Sequence, residues 1–345
     1  MSARTRWLII AVVSVLALGA TGMVGAAAWQ QYQARQEAPS EVTTTTAEAV
    51  TGAGRIVFRN TASGEGYGHV ASVPLDDPSA TRAVSGVACD RVYATPDEFS
   101  CLRIVRGITP TYTATFYSAD ASELSAWPLP GIPSRTRIST DGSLISTTSF
   151  VTGHSYATIG FSTETVIHTP DGADLGNLED WNLVIDGAQS APVDRNYWGV
   201  TFADDDDTFY ATAGMTTEGI TYLVRGSIAD RTMTTLAENV ECPSLSPDGT
   251  RIAFKRVTSG SGATVHWTPA IYDLATGEVT LLPEARSTDD QIEWLDDDTI
   301  LYGMPRDDAV GDYDVWSLAA DGSSDPAVFI EHAWSPAVVR GGDAG

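Results

Sequence analysis

Positive charge is scarce in this sequence. Twenty lysines and arginines face 45 aspartates and glutamates, for a net charge of −25. Lysine is nearly missing, with Lys255 alone beside 19 arginines. A surface of this sign repels nucleic-acid phosphates and anionic lipid head groups, which excludes a nucleic-acid partner. It suits solubility in salt, a cationic partner or Ca²⁺. Histidine and cysteine are equally thin. His69, His154, His168, His266 and His332 are dispersed, and neither a His-x-x-x-His nor a Cys-x-x-Cys pair occurs, so no metal is expected. There is no Gly-x-Ser-x-Gly elbow and no glycine-rich phosphate loop behind a strand, so neither an esterase-type nucleophile nor a nucleotide cofactor is expected.

Long apolar runs are rare too, with one exception at the start. Leu8 to Ala28 is an uncharged, mostly apolar stretch of 21 residues. As a helix it reaches about 32 Å, enough for a bilayer. Arg4 and Arg6 precede it and only Arg35 follows soon after, which favours the N-terminus inside and the rest of the chain outside. Cleavage near Ala28, after the small residues Ala26 and Ala27, is the alternative. Either way the remainder lies outside the cytoplasm. The resulting plan has a cytoplasmic segment 1–6, a transmembrane helix or signal anchor 7–29, a flexible Thr-rich linker 30–54, a folded domain 55–340 and a disordered tail 341–345. Residues 37–345 hold all 45 acidic side chains and 17 basic ones, a balance of −28.

What the folded part does have is turns. It is organised around Leu245-Ser246-Pro247-Asp248-Gly249-Thr250-Arg251-Ile252-Ala253-Phe254. Serine, proline and glycine suit the first, second and fourth places of a type I turn, and β-prone runs flank it, so it reads as a hairpin. The pattern recurs around Asp97, Asp141, Asp206 and Asp297, at steps of 44, 65, 42 and 49 residues. A period in the forties with strand-turn-strand at its head is the mark of propeller blades. The 65-residue step leaves room for one extra hairpin. A sixth copy is split: Ala333–Val339 matches the first half of the motif, and the missing strands lie at Arg55–Phe58, His69–Val73 and Thr81–Val84. The expectation is an all-β, six-bladed β-propeller whose last strand closes the blade begun at its N-terminus, leaving no open seam.

The repeat, above all Leu245 to Phe254, resembles that of TolB-like six-bladed propellers, over residues 55–340. Two copies depart from it, using aspartate runs in place of Pro-Asp-Gly, and Asp97-Glu98 lacks the glycine. The resemblance implies a binding module of the cell envelope that is not an enzyme. The arginine-for-lysine bias points to a high-GC Gram-positive bacterium.

Cys89 and Cys101 belong to one blade, and an oxidising exterior permits a bond between them. A turn centred on Asp97 sets Cys101 opposite Tyr93, four residues from Cys89, so a bond requires a bulge or a loop that curls inward. The alternative leaves them free. Cys242 is expected buried and free.

The runs Asp204–Asp207 and Asp296–Asp298 fall on hairpin tips. They read as turn residues bonded to their own backbone, since the spaced ligands and glycine of a calcium loop are missing. A candidate recognition site lies where each inner strand begins, because those residues share one phase of the repeat. The candidates are Arg91, Arg135, Arg137, Asp194, Asn196, Trp198, Glu241, Asp290, Gln291 and His332. Read functionally they form a polar mouth for a peptide, an N-terminal amine or a sugar; read structurally they are a hydrated funnel of ion pairs. His154 and Tyr156 on the loop 152–156 are further candidate contacts. The expected role is a monomeric, membrane-tethered binding module with an envelope protein or peptide as partner. The alternatives are a glycan-active enzyme using mouth carboxylates and a structural scaffold of the envelope.

Overall fold

The computed structural model describes residues 2–107, 109–151, 162–307 and 309–341. The chain divides into two compact units, Met1–Val42 with Ala62–Tyr67, and Thr43–Thr61 with Gly68–Gly345.

The first unit is dominated by the helix Ala3–Glu37, capped by Ser2, whose hydroxyl accepts from the Thr5 N–H at 3.3 Å. The helix is long and apolar enough to cross a membrane. It outlasts the expected span because Gln30 to Glu37 is rich in good helix formers. Within this unit, Tyr32 and Arg35 meet the ring of Tyr67, at 5.9 and 5.5 Å.

The second unit is a six-bladed propeller. Five blades open with an inner strand and add three more by antiparallel pairing: Arg91–Ala94, Ile132–Ile138, Arg195–Phe202, Glu241–Leu245 and Glu293–Trp294 are the inner strands. The remaining blade is shared by the two ends. Ala333–Val339 pairs with Arg55–Asn60, with Arg55 opposite Val339 and Val57 opposite Ala337. The extra hairpin in the long step is Asn182–Ile185 with Ala188–Ser190, which pairs in parallel outside Thr232–Glu238.

Residues 44–51 correct the expected linker. Thr44–Thr46 is a strand parallel to Arg82–Ala88, Val50 is fully buried, and the Thr51 hydroxyl donates to the Thr95 carbonyl. The physical reason is the open edge of Arg82–Ala88, which β-branched threonines cover well. Of the expected tail, residues 342–345 lie outside the described residues, as does the loop 152–156 with His154 and Tyr156.

The core consists of apolar layers between neighbouring blades. Ile56, Phe58 and Val73 pack on Leu301 and Val315; Ile252, Phe254 and Ala270 pack on Tyr210 and Leu223. The repeat motif builds its turn as its chemistry dictates. The Ser246 carbonyl accepts from the Gly249 N–H at 2.9 Å, the Asp248 carboxylate accepts from the Thr250 N–H at 3.0 Å, and Gly249 sits at φ 70°. Ser139, Asp141 and Gly142 repeat this arrangement. In the aspartate runs, Asp205 accepts from the Thr208 N–H at 2.6 Å and Asp296 from the Asp298 N–H at 2.9 Å.

Candidate functional site

Position along an inner strand sets depth in the central channel. Residues within the inner strands or just before them, Arg91 to Tyr93, Arg135 to Arg137, Asp290, Gln291, Ser335 and Pro336, line a narrow waist of about 20 Å³. Residues from the ends of the same strands line a wide cavity of about 700 Å³. Its wall includes Thr95 and Pro96, Thr140, Asp204 and Asp205, Ser246 to Gly249, and Arg340. Tyr93 and Arg137 touch both spaces.

Five of the ten candidate residues converge on the waist, where Arg91 and Arg135 share Asp290 and Arg137 pairs with Glu293. Arg137 forms an ion pair with Glu293, donates to the Ile292 carbonyl at 2.8 Å and to the Ser244 hydroxyl at 3.1 Å, and lies 4.4 Å from the Tyr93 ring centroid. Burial works against its charge, but Glu293 and Tyr93 outweigh that and hold its pKa above the ordinary arginine value. Arg91 meets Asp290 at 3.1 Å and lies 3.8 Å from the Trp334 ring centroid. Arg135 lies 4.0 Å from the same carboxylate. Gln291 donates to the carbonyls of Val200 and Pro243 at 3.3 Å each.

The other five sit outside the waist. Glu241 accepts from the Trp267 indole at 3.0 Å and lies 3.9 Å from Lys255. Lys255 is buried; it pairs with Asp289 and lies 4.4 Å from the Trp267 ring centroid. Burial opposes its charge, and the neighbouring Cys242, Asp289 and Glu241 outweigh that and raise its pKa. Asn196 accepts from the Thr163 N–H at 2.9 Å and donates to the Asp194 carbonyl at 3.0 Å, while the Asp194 carboxylate takes the Thr217 N–H at 2.5 Å. Trp198 packs over Gly214, where an added Cβ would meet the indole at 2.5 Å. His332 is held by Asp312, Nδ1 to carboxylate, at 2.9 Å, and Asp312 also takes the Thr61 hydroxyl at 2.7 Å.

A shared bulge explains this scatter. Gly199, Cys242 and Ser335 occupy the same phase of their inner strands and all have positive φ, at 67°, 50° and 56°. Strand pairing shifts register beside each of them. The extra residue turns side chains on its N-terminal side away from the channel axis. Thus Trp198, Glu241 and Trp334 share one phase, and none of them lines the waist.

The cysteines join. Cys89 and Cys101 form a disulfide with Cα atoms 5.4 Å apart. Register places Cys101 opposite Val92 rather than Tyr93, and Cys89 lies in the connection before that strand, so the loop curls inward as the bond requires. Cys242 is buried and free.

Sequence reasoning missed the wide cavity, although its wall is the repeat motif itself. Inner strands run into the Ser-Pro-Asp-Gly turn, so the motif marks one end of the channel. There Asp204 accepts from the Thr140 hydroxyl at 2.7 Å, and Asp297 accepts from the Asp248 N–H at 2.9 Å, each latching one blade tip to the next.

No protein-family model matches the chain, and no curated protein matches it in sequence. Solved structures are similar in fold at a distance. The β-propeller domain of the Trilobed protease from Pyrococcus furiosus is 10% identical over 68% of this chain and 69% of that one, with a TM-score of 0.41. An oligogalacturonate lyase in complex with manganese is 12% identical over 75% and 72%, with a TM-score of 0.46. A puromycin-hydrolyzing peptidase of Mycobacterium tuberculosis is 14% identical over 76% of this chain but 41% of its own, with a TM-score of 0.44. By its own strand pairing, the chain is a six-bladed β-propeller closed by its two ends.

Proposed function

We propose that this chain is a TolB-like propeller, tethered to a membrane by its N-terminal helix, displayed outside the cytoplasm, and binding an envelope protein or peptide without catalysing a reaction. The observation that carries this reading is the wide cavity of about 700 Å³ at the turn end of the channel. Its volume falls in the range of ligand sites, about 300–1,000 Å³. Six blades contribute to it, and its aspartates present carboxylate to a visiting cationic or hydrogen-bond-donating segment. The waist below supports a binding role over an acid–base one. Most of its charges are paired, and arginines that stay protonated at neutral pH are poorly poised to exchange protons. The exterior location is supported by the disulfide, which persists in oxidising compartments, and by arginines on the leading side of the apolar stretch.

The test uses the full-length protein in intact cells with a photo-crosslinking residue at Pro247. The expected result is a defined protein or peptide adduct that an impermeant protease releases by cutting within residues 38–43. An adduct protected from the protease would overturn the location. A cavity that yields no adduct, together with turnover of a supplied glycan, would overturn the binding role.

A further inference from the structure

The waist of the channel carries more cation than anion. Three guanidinium groups, Arg91, Arg135 and Arg137, line it beside one carboxylate, Asp290. Asp290 is already engaged. One oxygen takes Arg91 at 3.1 Å and lies 4.0 Å from Arg135; the other takes the Gly303 N–H at 3.1 Å. Glu293 balances Arg137 from the side of the wide cavity. Among the described residues that line or directly pair at the waist, one positive charge is left over around a space of about 20 Å³. Asp289, paired with Lys255, is a further carboxylate that acts on Arg135 and Arg91. The Asp289 side chain is 63% exposed, so water screens much of that charge.

Two donors also lack a use. The Nε of Arg135 and the Nε of Arg137 are buried with no acceptor among the described residues. Their side chains are 11% and 6% exposed. Buried N–H groups in native proteins nearly always find an acceptor. Arg91 feels its neighbour, since burial and then the Arg135 charge push its pKa down to about 10, whereas Arg135, against burial, is held above its ordinary value by Cys242, Asp290 and Asp289.

We propose that the waist binds one small monatomic anion of the halide class, held among Arg91, Arg135 and Arg137. The space suits it, since about 10–15 Å³ of this kind holds one water-sized body and a sulfate or phosphate needs far more. A spherical acceptor also tolerates donors that diverge, as these three do from separate positions on two blades. Tyr93 and Arg137 line both spaces, so the anion enters through the wide cavity. Bound there, it ties together inner strands that otherwise hold mutually repelling arginines. This inference stands independently of the partner assigned to the wide cavity.

The experiment melts the full-length protein in detergent with sodium chloride, bromide, acetate or gluconate at one ionic strength. Chloride and bromide should raise the melting temperature over gluconate by about 3 °C at ten times the dissociation constant. Arg135→Gln should lose that increment. Its ion pair is the loosest of the three at 4.0 Å, and Asp290 keeps Arg91 and the Gly303 N–H in its absence. If that variant does not fold, bromide-soaked crystals of the unaltered protein decide the matter, with anomalous scattering expected between the three arginines. Equal melting in all four salts, an undiminished increment in Arg135→Gln, or no bromide peak at the waist would overturn the proposal. Stabilisation by acetate alone would overturn the halide assignment.

Discussion

The two spaces of the channel are made by the same strands, yet their charged groups behave differently. Where the waist opens into the wide cavity, Arg137 and Glu293 are 5% and 4% exposed, and each finds its partner on a different blade. At the turn end, Asp205 and Asp248 are exposed and bond mainly to their own turns. Burial accounts for the contrast. A charge removed from water must be paired or it unfolds the protein, whereas a solvated carboxylate is free to cap a turn and still face a visitor. The waist is thus where substitution should damage the fold, and the turn end is where it should damage binding.

The largest effect expected is at the waist. Glu293→Ala leaves Arg137 buried without its carboxylate and should cost about 3–5 kcal/mol in urea unfolding. Replacing both members by methionine should recover most of that loss, because the uncompensated charge is then gone. A loss under about 1 kcal/mol for Glu293→Ala would remove the contrast between the two spaces. Next comes the disulfide. Cys101→Ser opens a bond between residues 12 apart and should cost about 2–4 kcal/mol by the same measurement, with the reduced wild type falling to match.

Gly199→Ala probes the shared bulge. Gly199 sits at φ 67°, and a Cβ there would come within 2.6 Å of the Cys242 backbone. A loss of about 1–3 kcal/mol is expected, seen as a lowered denaturation midpoint with an unchanged slope. The smallest effect belongs to the turn end. Asp248→Ala should cost under about 1 kcal/mol, since its bonds are exposed. Its pKa is lowered: burial opposes the charge, and bonds from Ser246 and Thr250 together outweigh it. A depressed carboxylate contributes stability above its unfolded value of about 3.9 and loses it as pH falls. The difference between wild type and Asp248→Ala should therefore vanish in melts taken well below about pH 4. A difference that grows on acidification would mean the carboxylate plays no part in the turn.

Much of this fold was legible because the turn motif states its own geometry. Ser246, Pro247, Asp248 and Gly249 each meet a local backbone demand, and five copies with a split sixth dictate a closed ring. The same locality hid the edge strand Thr44–Thr46. Its partner, Arg82–Ala88, is distant in sequence, and a threonine run reads alike as spacer or strand. The candidate site was half legible. Arg91, Arg135, Arg137, Asp290 and Gln291 do meet at one level, as neighbouring positions of a repeat allow. Trp198 and Glu241, at the phase of Trp334, do not join them, and neither does His332, two residues before Trp334. The bulge that diverts the first two depends on a positive φ that glycine announces at 199, but cysteine at 242 and serine at 335 conceal. The cavity went unseen for a different reason: turn residues were read for what they do to the chain, not for the wall they build together.

The central claim is that binding occurs at the turn end while the waist is structural. The most direct measurement places the same photo-crosslinking residue at Pro247 or Thr140, both exposed at the turn end, and at Val193, 77% exposed just before an inner strand. Each full-length variant is irradiated in intact cells and its adducts are identified by mass spectrometry. The account predicts one shared adduct from Pro247 and Thr140 that Val193 does not give. An adduct from Val193 alone would contradict it and move recognition to the strand-start end of the channel.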